Sequence, residues 1–138
     1  MPATKKLRVI IDTNLWISFL LTNNLKKIDS LISNNEITLI FSQELIDEFI
    51  DVATRPKFKK YFALSDLERL LIKIKDKAEF VEVATIIDLC RDEKDNFLLA
   101  LSIDGKATHL ITGDKDLLSI NKIDKTIIVT VSEFFLKP

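Results

Sequence analysis

The chain reads as an α/β fold, a central parallel sheet of four to five strands flanked by helices. Short β-branched runs alternate along it with stretches whose apolar residues recur at helical spacing. Those runs are continuous rather than alternating, as strands buried on both faces require. With 138 residues, 47% of them apolar, the chain can bury one core and falls short of two, so 1–138 reads as one domain.

Leu7 to Ile11 is the first strand, followed by a helix carrying Leu15, Trp16, Phe19 and Leu20 on one face. Leu25, Ile28, Leu31 and Ile32 mark a second helix, and Ile37 to Phe41 a second strand. Ser42 suits the N-cap of a helix whose stripe is Leu45, Ile46, Phe49 and Ile50. Pro56 ends it. Ser65-Asp66-Leu67-Glu68 has the capping-box pattern and opens a helix with Leu67, Leu70, Leu71 and Ile74 inside. Phe80 to Ala84 is a weaker strand. A helix beginning near Asp95 carries Leu98, Leu99 and Leu101, with Gly105 placed just past its end. His109 to Thr112 is a strand, Asp114 to Ile120 a short helix and Thr126 to Thr130 a last strand, with Ser132 capping a turn through Phe135.

Composition narrows the chemistry. One Cys and one His exclude a disulfide framework and a closed zinc site. The two glycines, Gly105 and Gly113, stand eight apart and exclude both the dinucleotide-binding and the phosphate-binding glycine loops. A serine triad would need His109, at the start of a strand, which reads as structural, and Cys90 reads as a small buried hydrophobe. The start has no signal-peptide pattern, and the longest uncharged stretch, 13 residues from Thr13 to Leu25, is too short for a membrane span. A cytoplasmic protein without membrane contact is expected. Carboxylates remain.

The net charge of −1 conceals segregation. Arg55 to Lys77 holds eight basic and three acidic residues, and Glu79 to Asp95 six acidic and two basic. In parallel sheets ligands bind beyond the carboxyl ends of the strands. Asp12 follows the first strand there, Asp114 and Asp116 the fourth, Asp92 and Asp95 open a helix, and Glu44 and Glu48 lie one helical turn apart after the second. Taken singly, each Asp suits a helix cap and each Glu a solvated helix face. Acids from four segments converging at one sheet edge need more. Two carboxylates about 4 Å apart repel by about 4 kcal/mol at an effective dielectric near 20, so protons or a cation must compensate them. Oxygen ligands alone favour a hard cation, Mg²⁺ or Mn²⁺, and phosphodiester hydrolysis is the natural reaction.

Val-Ile-Ile-Asp12-Thr13-Asn14, Ser42-x-x-Leu-x-x-Glu48-Phe, Arg-Asp92-x-x-Asp95-Asn-x-Leu-Leu-Ala and Leu-Ile-Thr112-Gly-Asp114-x-Asp116-Leu-Leu resemble, in order and spacing, the motifs of the PIN domain. The likeness runs from about Leu7 to Phe135 and is greatest to VapC-type ribonucleases, the toxins of toxin–antitoxin pairs. It implies a three-layer PIN-like fold and a metal-dependent endoribonuclease. Asp12, Glu48, Asp95 and Asp114 would be its catalytic, metal-holding acids, with Asp92 and Asp116 also ligating one or two Mg²⁺ or Mn²⁺ ions. Asn14 and Thr112 would orient Asp12 and Asp114. It also implies an RNA substrate, a small antitoxin partner and a homodimer. Arg55, Lys57, Lys59 and Lys60 are candidates for RNA phosphates, with Phe58 or Tyr61 offered to a base; the alternative is a solvated hinge with its aromatics in the core. A housekeeping RNA-processing nuclease and a catalytically idle PIN-like binding module stay open. A phospho-receiver domain fits less well, because Asp12 is followed by Thr13 and Asn14 where it needs a second acid.

Overall fold

A computed structural model describes residues 7–22, 25–33 and 35–136, without the side chains of residues 25, 27, 28, 31 and 136. Among the described residues six strands form one sheet: β1 (Leu7–Ile11), β2 (Ile37–Phe41), β3 (Glu79–Phe80), β4 (His109–Ile111), β5 (Lys122–Ile123) and β6 (Thr126–Val129). Their order across it is β3-β2-β1-β4-β6-β5. Every pairing is parallel except β5 with β6. The helices are α1 (Thr13–Leu21), α2 (Leu25–Ser33), α3 (Gln43–Ala53), α4 (Leu64–Lys77), α5 (Glu93–Asp104), α6 (Lys115–Ile120) and α7 (Val131–Leu136). This is the expected α/β architecture, a mostly parallel sheet flanked by helices, with one short edge strand, β5, in addition. Among the described residues no helix is long and apolar enough to cross a membrane.

Central β1 explains its own sequence: Val9, Ile10 and Ile11 are fully buried, as a strand covered on both faces must be. Trp16 of α1 is wholly buried among Phe19, Phe41 and Phe49, with ring centroids 5.9 to 6.2 Å apart. Of the face expected on α2, Ile32 is buried. The side chains of residues 25, 28 and 31 lie outside the described residues. On α3 the stripe is Leu45, Ile46, Phe49 and Ala53, with Ile50 only half-buried.

Several boundaries differ from the sequence reading. The strand expected over Phe80 to Ala84 stops at Phe80, because β2 turns into α3 after Phe41 and leaves the next residues no ladder partner. Val81 N–H still reaches the Phe41 carbonyl at 2.8 Å, but Ala84 and Thr85 donate instead to the Asp104 carboxylate of α5, at 2.7 and 2.9 Å. Helix α4 starts at Leu64 rather than after Ser65; Ala63 takes the cap position and Asp66 reaches back to its N–H at 3.3 Å. The cap of α7 is Thr130 rather than Ser132. Thr130 and Glu133 exchange side-chain-to-backbone hydrogen bonds at 2.9 and 3.1 Å, a capping box whose Thr-x-x-Glu pattern begins two residues before Ser132. Unanticipated β5 has no apolar run; it exists because Asn121 and Asp124 adopt positive φ (69° and 50°), which short polar side chains tolerate best.

Gly105 caps α5 at φ −83°, so its conformation needs no glycine, and Lys106 takes the left-handed position instead (φ 51°). What Gly105 supplies is space. A Cβ there would lie 2.8 Å from Ile40 Cγ2 and 2.9 Å from the Leu101 carbonyl.

Candidate active site

Parallel register builds the site edge. Val9 lies opposite Leu39, Ile11 opposite Ile111, and Ile111 opposite Val129. The residues that follow the strands, Asp12, Ser42, Thr112 and Thr130, therefore leave the sheet at one level. Ser42 turns to helix by capping Leu45 N–H at 3.0 Å, which aims α3 away from this edge and sets Glu48 over it.

Asp12 is 7% exposed. Thr112 Oγ1 donates to its Oδ2 at 2.8 Å, and the Asn14 backbone N–H donates to its Oδ1 at 3.2 Å. Asp12 therefore caps α1 itself, and Thr13 does not. Burial pushes its carboxyl pKa up, the two hydrogen bonds oppose that, and Asp114 and Asp92 add repulsion. Thr112 Oγ1 also accepts from Asp114 N–H at 3.0 Å, so one hydroxyl ties the ends of β1 and β4 together. Asp114 caps α6, its Oδ1 accepting from Asp116 and Leu117 N–H at 2.8 and 3.3 Å. Asp92 caps α5 through Lys94 N–H at 2.9 Å.

Asp95, in the first turn of α5, is 5% exposed, and its buried Oδ2 has no hydrogen-bond partner. Burial, then the charges of Asp114, Asp92, Asp12 and Asp116, push its pKa up to about 6. Oxygens of Asp95, Asp114 and Asp116 all lie within 4.8 Å of one another. The tightest carboxylate group thus includes Asp116, whose other contact is Arg91 at 3.6 Å. A carboxylate with one buried oxygen lacking a donor, grouped with two further carboxylates, fits a hard divalent cation.

A cleft of about 410 Å³ opens over these acids, lined by Asp12, Asn14, Glu48, Asp92, Asp95 and Asp114 among others. Half-buried Glu48 enters it from α3, while Glu44 faces a separate cleft beside Phe80. Asn14 is exposed and meets Asp12 through its backbone; the Thr112 hydroxyl donates to Asp12 and accepts from the Asp114 backbone N–H. Of the basic segment, Arg55 and Lys57 line the cleft, whereas Lys59 and Lys60 are exposed outside it. Arg55 also pairs with Asp51 at 3.5 Å.

Sequence reasoning missed three contributors. Lys94 lines the cleft, and its signal was a cation in a helix's first turn, where the dipole disfavours one. Thr13 Oγ1 is buried at the cleft without a partner. Asn96 accepts from Leu89 and Cys90 N–H at 3.1 and 2.8 Å and donates to the Cys90 carbonyl at 2.9 Å, fixing the turn that delivers Asp92. Cys90 is half-buried rather than buried, and burial with the neighbouring acids pushes its thiol pKa up. His109 stands at the opposite end of β4, against Thr108 Oγ1 at 2.9 Å and edge-on to Phe134.

A sheet edge gathering acids from four segments defines a class of hydrolytic α/β proteins, and a family model places the chain within it. Residues 8–116 match the PIN domain, and the chain belongs to the PIN-domain family, a family of nucleases that act on RNA. It is 32% identical over 123 residues to the uncharacterised protein MJ1680 of Methanocaldococcus jannaschii, covering 87% of this chain and 79% of that one. The crystal structure of PAE2754 from Pyrobaculum aerophilum superposes with a TM-score of 0.58 over 97% of this chain and 96% of that one; at 15% identity the likeness is one of fold.

Proposed function

We propose that this chain is a divalent-metal-dependent endoribonuclease whose acids Asp12, Glu48, Asp95 and Asp114 hold Mg²⁺ or Mn²⁺, with Asp92 and Asp116 completing the set. The observation that carries the reading is Asp95, whose buried Oδ2 has no hydrogen-bond partner and whose carboxylate brings an oxygen within 4.8 Å of oxygens from Asp114 and Asp116. Bound there, one or two such ions would supply a Lewis acid for phosphate oxygens and an attacking water of lowered pKa.

The chain's own residues prepare the place. Thr112 donates to Asp12 Oδ2, which points the remaining lone pairs of that carboxylate into the cleft and favours its charged form. Capping duty occupies Asp114 Oδ1 and leaves Oδ2 for a ligand. With a pKa about 6, Asp95 holds a proton in part near neutrality until a cation displaces it. Arg55, Lys57 and Lys94 meet the negative backbone of RNA at the same cleft.

The motif resemblance to VapC-type ribonucleases supports a finer reading: a cytoplasmic, homodimeric toxin restrained by a small antitoxin, 1–138 forming one domain. Cleavage of a defined RNA pool with and without Mn²⁺, wild type beside Asp12→Asn, tests the chemistry. Wild type should cleave only with metal, and the variant should lose activity while remaining folded. Cleavage retained by Asp12→Asn would sink the mechanism, and an inert wild type would favour a binding module. Growth arrest of a host on expression of the native chain, absent for Asp12→Asn and relieved by a short protein encoded beside it, separates a toxin from a housekeeping nuclease, for which no such neighbour is expected.

A further inference from the structure

Phosphodiester chemistry accounts for the acids and cations of the cleft but leaves its apolar wall unexplained. Ile17, Leu21, Val52, Phe58 and Phe97 line the same space as Asp12 and Asp95. Leu21 is 37% exposed, and Val52, Phe58 and Phe97 are half-buried, each packed against the core on one side while lining the cleft on the other. Phe58 sits in a single 3₁₀ turn, Pro56–Phe58, between Lys57 and Lys59. Its ring is stacked with Phe62 at 25° and 6.1 Å, and Lys57 Nζ lies 5.1 Å from its centroid. An aromatic ring buttressed by a second ring, covered by a movable cation and beside an acidic phosphodiester site, has the makings of a stacking platform.

We propose that Phe58 is a base subsite: one unpaired RNA base stacks on its ring, while Lys57 leaves the ring for the adjoining phosphate. This rests on the ribonuclease reading and deepens it by assigning a nucleotide position and a requirement for an unpaired base. Three features favour a base as occupant. Arg55, Lys57 and Lys94 supply the cations that a polyanion needs. At about 410 Å³ the cleft lies near the low end of small-ligand pockets, about 300–1,000 Å³, a size suited to one nucleotide. An exposed cation over a ring contributes about two- to fivefold in an equilibrium, whereas loss of a base–aromatic stack costs about 5- to 150-fold in affinity. A base therefore displaces Lys57 from the ring, and the released ammonium gains a phosphate. Tyr61, the other aromatic of this segment, is 62% exposed and does not line the cleft.

Two labelled oligomers test this by fluorescence anisotropy in the Asp12→Asn background, where turnover is blocked: a uridine hexamer and a hexamer of abasic ribonucleotides. The uridine hexamer should bind at least about fivefold more tightly. Adding Phe58→Leu, which keeps apolar bulk without a ring, should erase that preference while leaving affinity for the abasic chain unchanged. Phe58→Tyr and Tyr61→Leu should each preserve it. Preference retained in Phe58→Leu, or lost in Phe58→Tyr, overturns the subsite. If native chain cleaves RNA while Phe58→Leu keeps its preference, the subsite alone falls. If native chain neither cleaves RNA nor binds either oligomer, the ribonuclease reading falls with it.

Discussion

Asp95 concentrates the electrostatic cost of the site in one residue. In the unfolded chain its carboxyl titrates near 3.8, in the folded chain at about 6. Well below pH 4 both states are protonated and the group is neutral in its effect. As the pH rises through 6, the folded chain must release a proton that it holds more tightly than the unfolded chain does, so stability falls. For the metal-free protein the loss amounts to about 3 kcal/mol by pH 7. Asp95→Asn removes it. In urea titrations with EDTA, the advantage of the variant over wild type should grow from below about 1 kcal/mol at pH 4 to about 3 kcal/mol at pH 7. The same advantage at both pH values would contradict the assignment. At this scale the sequence was legible where a carboxylate closes a motif: all six predicted acids lie at or beside the cleft. Which of them crowd together was not legible. Asp116 joins the tight group because the cap of α6 folds its N–H onto Asp114, a consequence of local geometry rather than of spacing.

Helix α5 shows how an element is positioned by what it lacks as well as by what it carries. Its amino end presents Asp92 and Asp95 and fixes the preceding loop through Asn96, and its last residue, Asp104, accepts from Ala84 N–H, Thr85 N–H and Thr85 Oγ1. Its carboxyl end can pack on β2 only because residue 105 has no Cβ. Gly105→Ala should cost about 1–3 kcal/mol by overpacking, since φ is acceptable to alanine and the obstruction is partly backbone. Urea denaturation measures this; a neutral substitution would show that Ile40 yields freely. Element type was legible because long periodic stretches specify their own faces. Ends were less so: Ala63 and Thr130 cap through acids three residues on, where a neighbouring Ser offered a competing cap, and the loss of strand after Phe80 depends on β2, far away in sequence.

Segregated charge is the molecule-wide feature. An acidic sheet edge lies beside a basic segment, of which Arg55 and Lys57 reach the cleft. Two solution responses follow. Mg²⁺ or Mn²⁺ at ~100 Kd should add about 2.7 kcal/mol to stability, read as a rise in melting temperature; indifference to both ions would count against the acids as ligands. RNA affinity should fall linearly with log salt, by about 0.7 for each phosphate contacted on a single strand; a flat response would remove the basic residues from the interface. The segregation itself was visible in the sequence, but not which cations face the acids. Lys59 and Lys60 point elsewhere, and Lys94 arrives from the acidic half.

By itself, the sequence determined the periodicities, the α/β order and the absence of histidine, cysteine and glycine-loop chemistry, because these depend on residue type and near neighbours. Tertiary structure alone decided the spacing of the acids, the edge strand β5, where β3 ends, and the coexistence of cations and an aromatic wall in one cleft. These depend on parallel register, which brings Asp12 and Thr112 to within a hydrogen bond of each other across a hundred residues of chain.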